Sequence, residues 1–226
     1  MSKQFHSQYR QDEFLEKCVF KGFRNGTFVD VGAHDGITFS NTLYFERTNG
    51  WSGINIEANP HVYEKLAHNR PDSLNIQCAV CKHNGTAEFV MNTGYTEMLS
   101  GLKGTYDPRH MKRLNKENET TGGTSETILV HTRTLERILD AVGIKRVHYL
   151  SIDTEGAEED VIRSINFDRI FIDVIGFENN FTDTSESIIH YLSKRGYRLV
   201  EILGNTYCSD TFMIHKDSQF IEPPKP

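Results

Sequence analysis

The chain has 226 residues, with 31 Asp+Glu against 25 Lys+Arg and a formal net charge of -6. That length suits one α/β domain, residues 1–226, and is short for two. The acidic balance argues against general nucleic-acid binding, no apolar run approaches the roughly 20 residues of a membrane span, and the polar start Met1-Ser-Lys-Gln-Phe-His6 lacks the apolar stretch of a secretory signal.

Taken in order, residues 10–23 place Phe14, Leu15, Cys18 and Val19 at helical spacing, with Gly26 as a stop, so 1–26 reads as an N-terminal helical segment. Thr27–Val31 is a β-branched strand running into Gly32-Ala-His-Asp-Gly36. A helix from Ser40 to about Thr48 follows, then the strand Trp51–Glu57. Asn59-Pro60 opens a helix with proline in its first turn. Leu74–Val80 reads as a third strand, and Asn84-Gly85 as a tight turn into Thr86–Val90 in hairpin fashion.

Residues 91–126 break the pattern with scattered glycines and many charges. They read as a variable insertion, either a plain surface excursion or a lid over an acceptor site. Regularity returns with the strand Thr127–His131, a helix from Thr134 to Val142, the strand Val147–Asp153, a helix from Glu158 to about Ile165, and the strand Phe171–Glu178. A helix Glu186–Lys194 and two strands, Tyr197–Leu203 and Thr211–His215, close the chain. Strands alternating with helices predict βαβ units and a mainly parallel sheet, with an antiparallel edge from the last strand–turn–strand.

The cysteines, Cys18, Cys78, Cys81 and Cys208, read as reduced thiols of a cytoplasmic protein. Cys78-Ala-Val-Cys81 has redox or zinc spacing, but no second pair accompanies it, and residues three apart on a strand face opposite ways. The Asn-x-Thr tripeptides at Asn25, Asn84, Asn118 and Asn180 carry no meaning without secretion.

Strand, glycine-rich turn, helix, strand and acid form a nucleotide-binding half. Gly32 and Gly36 allow a sharp turn and close approach to a ligand. Glu57, at the end of the second strand, can accept hydrogen bonds from both hydroxyls of a ribose. The G-x-G-x-x-G of nicotinamide enzymes is missing. Asp30, two residues before Gly32, would repel a pyrophosphate but suits an ammonium, which favours S-adenosylmethionine.

Three blocks resemble the FkbM family of S-adenosylmethionine-dependent O-methyltransferases: Phe28 through Thr42, Gly50 through Pro60, and Leu150-Ser-Ile-Asp-Thr-Glu-Gly-Ala-Glu158. Ser7-Gln-Tyr-Arg-Gln-Asp12 is similar to that family's N-terminal motif, and the match runs from Ser7 to about His215. The resemblance implies a class I methyltransferase (Rossmann-like) fold: a mainly parallel seven-stranded sheet, an antiparallel last strand, and helices on both faces. It implies methyl transfer to a hydroxyl, often on a sugar or polyketide. It places Asp30, Gly32, Ala33, His34, Asp35 and Gly36 around the methionine end, and Ser40 and Asn41 near its carboxylate. Glu57 would hold the ribose, Ala58 and Ala79 would lie beside the adenine, and Gln8 would add a contact from the N-terminal segment. Class I enzymes in general carry glycine where His34 stands, but the FkbM pattern accepts other residues there.

Methylating an alcohol needs an aligned acceptor and a group to take its proton. Asp153 ends one strand, Glu155 follows it and Glu178 ends the next, so these three acids are the expected catalytic set, with Asp153 also touching the cofactor. The same three suit Mg²⁺ or Mn²⁺ should the reaction use a metal. Glu158 reads as an acid at a helix start, and His34 and His110 lie in site segments with weaker claims to a base role. The expected partner is a small-molecule or glycan hydroxyl acceptor. Two other readings stay open: a nicotinamide- or sugar-nucleotide-dependent enzyme, and a non-catalytic interaction module on the same fold.

Overall fold

The computed structural model describes residues 4–179, 182–205 and 208–221, which leaves the start of the Asn180 tripeptide outside. In chain order the elements are α1 (Gln11–Phe14), continued by a π-helical stretch Leu15–Phe20, β1 (Thr27–Val31), α2 (Leu43–Asn49), β2 (Ser52–Glu57) and α3 (Pro60–Asn69). Then come β3 (Leu74–Gln77), β4 (Ala79–Val80), β5 (Gly85–Asn92), β6 (Gly101–Leu102), α4 (Pro108–Thr121) and β7 (Ser125–Arg133). The remainder is α5 (Leu135–Ala141), β8 (Arg146–Ile152), α6 (Glu158–Arg163), β9 (Phe171–Glu178), α7 (Thr182–Ser193), β10 (Tyr197–Gly204) and β11 (Ser209–His215).

The main sheet has seven strands in the order β10-β11-β9-β8-β1-β2-β3. β3, β2, β1, β8 and β9 are parallel to one another, and β11 runs antiparallel between β9 and β10. The last strand is therefore antiparallel as expected, but it inserts one place inside the edge, and β10 is the edge strand. Alternation along the strands sends successive side chains to opposite faces. Val29 and Val31 join a core with Leu135, Ile138, Val161, Ile162, Ile188 and Leu192 of α5, α6 and α7, whereas Phe28 joins Leu15, Phe20, Tyr44 and Phe45 of the N-terminal helix and α2. This is why the central strands are apolar on both sides: helices cover each face.

Three expectations change in the middle of the chain. Leu74–Val80 is not one strand. It divides at Cys78, whose N–H donates to Glu57 O at 3.1 Å. β3 stays in the main sheet, and β4 leaves it to pair with β7 in a second sheet of order β4-β7-β5-β6. The Asn84-Gly85 turn does not close a hairpin, because β5 pairs antiparallel with β7, from Gly85↔Thr132 to Asn92↔Ser125. Pairing across that span depends on long-range packing that no local turn residue reports. Thr127–His131 thereby belongs to this second sheet.

Residues 91–126 are largely regular. They hold a 3₁₀ turn at Gly94–Leu99, the short β6 and the 14-residue α4. Asp107 caps α4 by accepting from Arg109 N–H, Pro108 occupies its first turn, and Gly122 ends it in a left-handed conformation. The sequence hid α4 because only His110 and Leu114 on it are buried. The four cysteines are all free. Cys78 packs in the main core and Cys81 in the core of the second sheet, so the C-x-x-C spacing reflects a chain passing from one to the other.

Candidate active site

A cavity of 980 Å³ opens at the carboxyl ends of the parallel strands, where Val31, Glu57, Asp153 and Glu178 terminate or follow β1, β2, β8 and β9. Of the residues expected around a cofactor, Gln8, Asp30, Gly32, Ala33, His34, Ser40, Asn41, Glu57, Ala58, Ala79 and Asp153 all line it. Asp35 and Gly36 build the turn behind its wall. Asp35 accepts from Ile37 N–H at 2.8 Å and from the N–H and hydroxyl of Thr38, both at 2.7 Å.

The glycines serve packing. A Cβ on Gly32, whose φ is +83°, would sit 1.6 Å from Asp153 O. That close approach joins β1 to β8, where Asp153 N–H donates to Val31 O at 2.9 Å. A Cβ on Gly36 would meet Arg70 Cγ at 2.6 Å and Leu66 Cδ1 at 2.7 Å. Arg70 is fully buried. It pairs with Glu46 at 2.9 Å and donates to Gly36 O at 3.1 Å and to the hydroxyls of Ser40 and Thr42, both at 3.3 Å. Sequence reasoning missed this buttress of the glycine turn, since an arginine beside Pro71 reads as a solvated loop residue.

Behind the turn, Asp30 is buried and accepts from Thr42 Oγ1 at 2.7 Å. Burial pushes its carboxyl above the usual range, opposed by that hydrogen bond. Glu57 is also buried. Its two oxygens accept from His34 N–H at 3.0 Å and Asn59 N–H at 2.7 Å. Burial raises its carboxyl too, with the Asn59 N–H and His34 acting the other way. Ser40 Oγ accepts from Leu43 N–H at 3.1 Å, capping the entry to α2, and Asn41 Nδ2 donates to Ser151 Oγ at 3.3 Å.

The N-terminal segment is tied down. Asp12, fully buried, accepts from His6 N–H at 2.6 Å and Ser7 Oγ at 2.5 Å, and Ser7 bridges to Phe39. That anchor seats Gln8 and Tyr9 on the cavity wall. Gln11 Nε2 donates to Asp210, which burial raises to about 6.

At the other end of the cavity, Asp153, Glu155 and Glu178 each bring one carboxylate oxygen to within 4.8 Å of the others. Asp153 is open to the cavity, while Glu155 and Glu178 are buried. Although its side chain opens onto the cavity, the protein packed around the carboxylate desolvates it and lifts Asp153 above the usual range, and Glu178, Asp210, Glu158 and Asp30 push it further. Glu155 is raised by burial and by Asp153, and holds a left-handed backbone at φ 56°. A non-glycine residue held there marks a position the surroundings over-determine. Glu158 fixes that loop: its Oε1 accepts from Thr154 N–H at 3.0 Å, Thr154 Oγ1 at 2.9 Å and Gly156 N–H at 3.1 Å. Glu178 Oε1 accepts from Cys208 Sγ at 3.4 Å.

The inserted segment supplies a further wall. His110 Nδ1 lies 3.4 Å from Glu155 Oε2, and its ring stacks on Tyr106 at 4.7 Å. Burial lowers the His110 pKa, so the imidazole tends to the neutral form.

The methyltransferase FkbM domain matches this chain over residues 30–199. No curated protein sequence matches significantly. Among solved structures, the fold is similar to methyltransferase FkbM from Methylobacillus flagellatus KT, at 12% identity and a TM-score of 0.52, over 84% of this chain and 44% of that one. It is similar to the METTL16 methyltransferase domain at 9% identity and a TM-score of 0.53, over 90% and 65% of the two chains. Fibrillarin from Aeropyrum pernix, solved with S-adenosyl-L-methionine bound, aligns at 11% identity and a TM-score of 0.48, over 85% and 68%. The first two likenesses speak to the fold alone, and the seven-stranded sheet with its antiparallel insertion is the class I methyltransferase arrangement. With the domain match covering most of the sequence on that sheet, the chain belongs to the FkbM family of S-adenosylmethionine-dependent methyltransferases.

Proposed function

We propose that the protein is an O-methyltransferase acting on a hydroxyl of a sugar, glycan or similar small acceptor, in the cytoplasm. The observation that carries this reading is the placement of three clustered carboxylates, Asp153, Glu155 and Glu178, in the same cavity as the Asp30–Glu57 end. At 980 Å³ that cavity lies near the top of the range for small-molecule sites, about 300–1,000 Å³, which leaves space for an acceptor beside a cofactor.

The donor set fits S-adenosylmethionine. Glu57 keeps lone pairs beyond those taken by His34 and Asn59, so it can accept from ribose hydroxyls. Ala58 and Ala79 offer a small apolar wall for the adenine, and buried Asp30 complements a positive charge. When bound, the cofactor supplies an electrophilic methyl group on a sulfonium. Asp153 would take the proton of the acceptor hydroxyl as its oxygen attacks that methyl carbon, with the methyl–sulfur bond breaking and S-adenosylhomocysteine leaving as the thioether. Its raised proton affinity, from desolvation and from Glu178, suits it to taking a proton. Glu155 and Glu178 orient the acceptor and sustain that affinity. His34 backs Glu57 through its N–H.

A second reading follows from the 4.8 Å clustering: the three oxygens also suit a hard divalent cation, which would lower the hydroxyl's own pKa. The test is titration with S-adenosylhomocysteine and with NAD, followed by turnover of Asp153→Asn with and without EDTA. Homocysteine-product binding with Asp153→Asn inactive and EDTA harmless supports the base. Loss of turnover in EDTA with recovery in Mg²⁺ or Mn²⁺ moves the role to the metal. NAD binding in preference to S-adenosylhomocysteine overturns the assignment.

A further inference from the structure

Every lysine and arginine that lines the cavity among the described residues comes from one helix, α4: Arg109, Lys112, Arg113 and Lys116. At positions i, i+3, i+4 and i+7 they share one helical face. Everything else charged on the cavity wall is acidic or histidine, and the chain as a whole carries a net charge of -6. Arg109 is held by Asp107 at 2.7 Å and Arg113 by Glu117 at 2.7 Å. Lys112 and Lys116 are exposed and form no ion pair with a described residue. Two free ammonium groups thus face an open cavity, flanked by two guanidiniums that are already positioned.

The face lies toward the acceptor end. Glu155 and Glu178 are within electrostatic reach of Arg113, and His110 on the same helix approaches Glu155 at 3.4 Å. The cavity thus presents carboxylates at the strand ends and cations on the inserted helix, set in a wall that also includes apolar residues such as Phe89, Leu99 and Leu102. An acceptor whose hydroxyl reaches Asp153 can also meet the α4 side chains that line the same cavity. A carboxylate-lined floor repels an anion, so any anionic group of the acceptor belongs at the α4 end.

Resting on the O-methyltransferase reading, we infer that the acceptor carries a phosphoryl group, as in a sugar phosphate or nucleotide sugar, held by Lys112 and Lys116 while its hydroxyl points to Asp153. Lysine suits phosphate as a compact, mobile point charge, and the neighbouring Arg109 and Arg113 add to the local positive potential. Thr120 and Glu117 of the same helix add polar groups to this wall.

The test uses the full chain and reads binding, so it does not need turnover. Calorimetric titrations would use UDP-glucose, inorganic pyrophosphate, glucuronate and glucose, with wild type and Lys112→Gln/Lys116→Gln. S-Adenosylhomocysteine is titrated separately into both proteins. Expected are binding of UDP-glucose or pyrophosphate and not of glucose, a loss of roughly ten-fold or more in the double variant, weakening with added salt, and S-adenosylhomocysteine affinity within two-fold of wild type. Phosphoryl binding unchanged in the double variant, or no phosphoryl binding at all, overturns the inference. Glucuronate binding more tightly than either phosphoryl probe overturns it in favour of an acidic sugar. A large fall in S-adenosylhomocysteine affinity would reassign the lysines to the cofactor carboxylate and equally overturn it. Failure of S-adenosylhomocysteine to bind wild type is a different result: it removes the methyltransferase reading, whatever the phosphoryl probes do.

Discussion

Replacing Glu57 separates its two jobs. In the structure its oxygens take the N–H groups of His34 and Asn59, at 3.0 and 2.7 Å, and so fix the turn after β1 against the start of α3. In the functional reading the same carboxylate also accepts from the ribose. Hydrogen bonds to a charged partner contribute about 1.5–3 kcal/mol each, so losing two would weaken S-adenosylhomocysteine by roughly 10²–10⁴-fold in Glu57→Ala. Glu57→Gln keeps one carbonyl acceptor and should lose roughly 10–100-fold. Stability responds differently. Alanine leaves two buried N–H groups unpaired at about 1–3 kcal/mol each, offset in part because the buried carboxylate itself was costly. For a chain of this size, each kcal/mol moves Tm by about 2–4 °C, so Glu57→Ala should melt several degrees lower, and Glu57→Gln less so. Isothermal titration and scanning calorimetry on the three proteins measure both effects. Affinity within two-fold of wild type in both folded variants would refute the ribose assignment.

Two further outcomes test the frame around the site. Gly32→Ala puts a Cβ 1.6 Å from Asp153 O at φ +83°, an overlap with backbone that cannot rotate away. It should cost more than about 4 kcal/mol and leave little soluble protein, whereas Gly104→Ala, which meets nothing within 4 Å, should express and melt normally. Equal melting temperatures for the two would show that β1 and β8 do not need this approach. Asp210 binds its proton more tightly when folded, with its pKa raised from 3.8 to about 6. Its protonated form therefore favours the fold fully below about pH 4, and that contribution is lost as pH rises through 6, about 3 kcal/mol in all. Asp210→Asn, which can still accept from Gln11, should be more stable than wild type in urea at pH 7 and lose that advantage by pH 4; a variant less stable at pH 7 would contradict the sign.

Much of the frame was legible because it rests on local signals. Apolar runs with β-branched residues marked β1, β8 and β9, Asn59-Pro60 marked the start of α3, and the acids at the ends of β2, β8 and β9 stood out against their strands. The second sheet was not legible, because β5 finds β7 only through pairing across α4. Cys78 gave no sign of ending a strand, since both halves of 74–80 have strand character and only the Glu57 carbonyl redirects the chain. The lid reading of 91–126 also needed the fold to say which side chains face inward: Tyr95 is 75% exposed and Tyr106 stacks on His110, and neither lines the cavity.

The chemical meaning of the acids also waited for three dimensions. Asp30, Glu57, Asp153, Glu155, Glu178 and Asp210 lie on five different strands or their ends, so sequence spacing says nothing of how they act on one another. In the fold Asp153 collects the fields of Glu178, Asp210, Glu158 and Asp30 on top of the desolvation its surroundings impose. A protein gains nothing in stability from such an arrangement, because each ionised neighbour makes the next proton harder to lose. It gains a carboxylate with a raised affinity for a proton, and a cavity end that favours positively charged ligand groups. The cations of α4 do not stand apart from these acids: Arg113 lies within electrostatic reach of Glu155 and Glu178, and lowers the proton affinity of Glu155 against the push from Asp153 and Glu158. Its pairing with Glu117 at 2.7 Å shares that charge with a second carboxylate. One cavity therefore carries clustered carboxylates at the strand ends and lysines on α4, and with Lys112 and Lys116 outside any ion pair with a described residue, a proton acceptor and an anion receptor can share it.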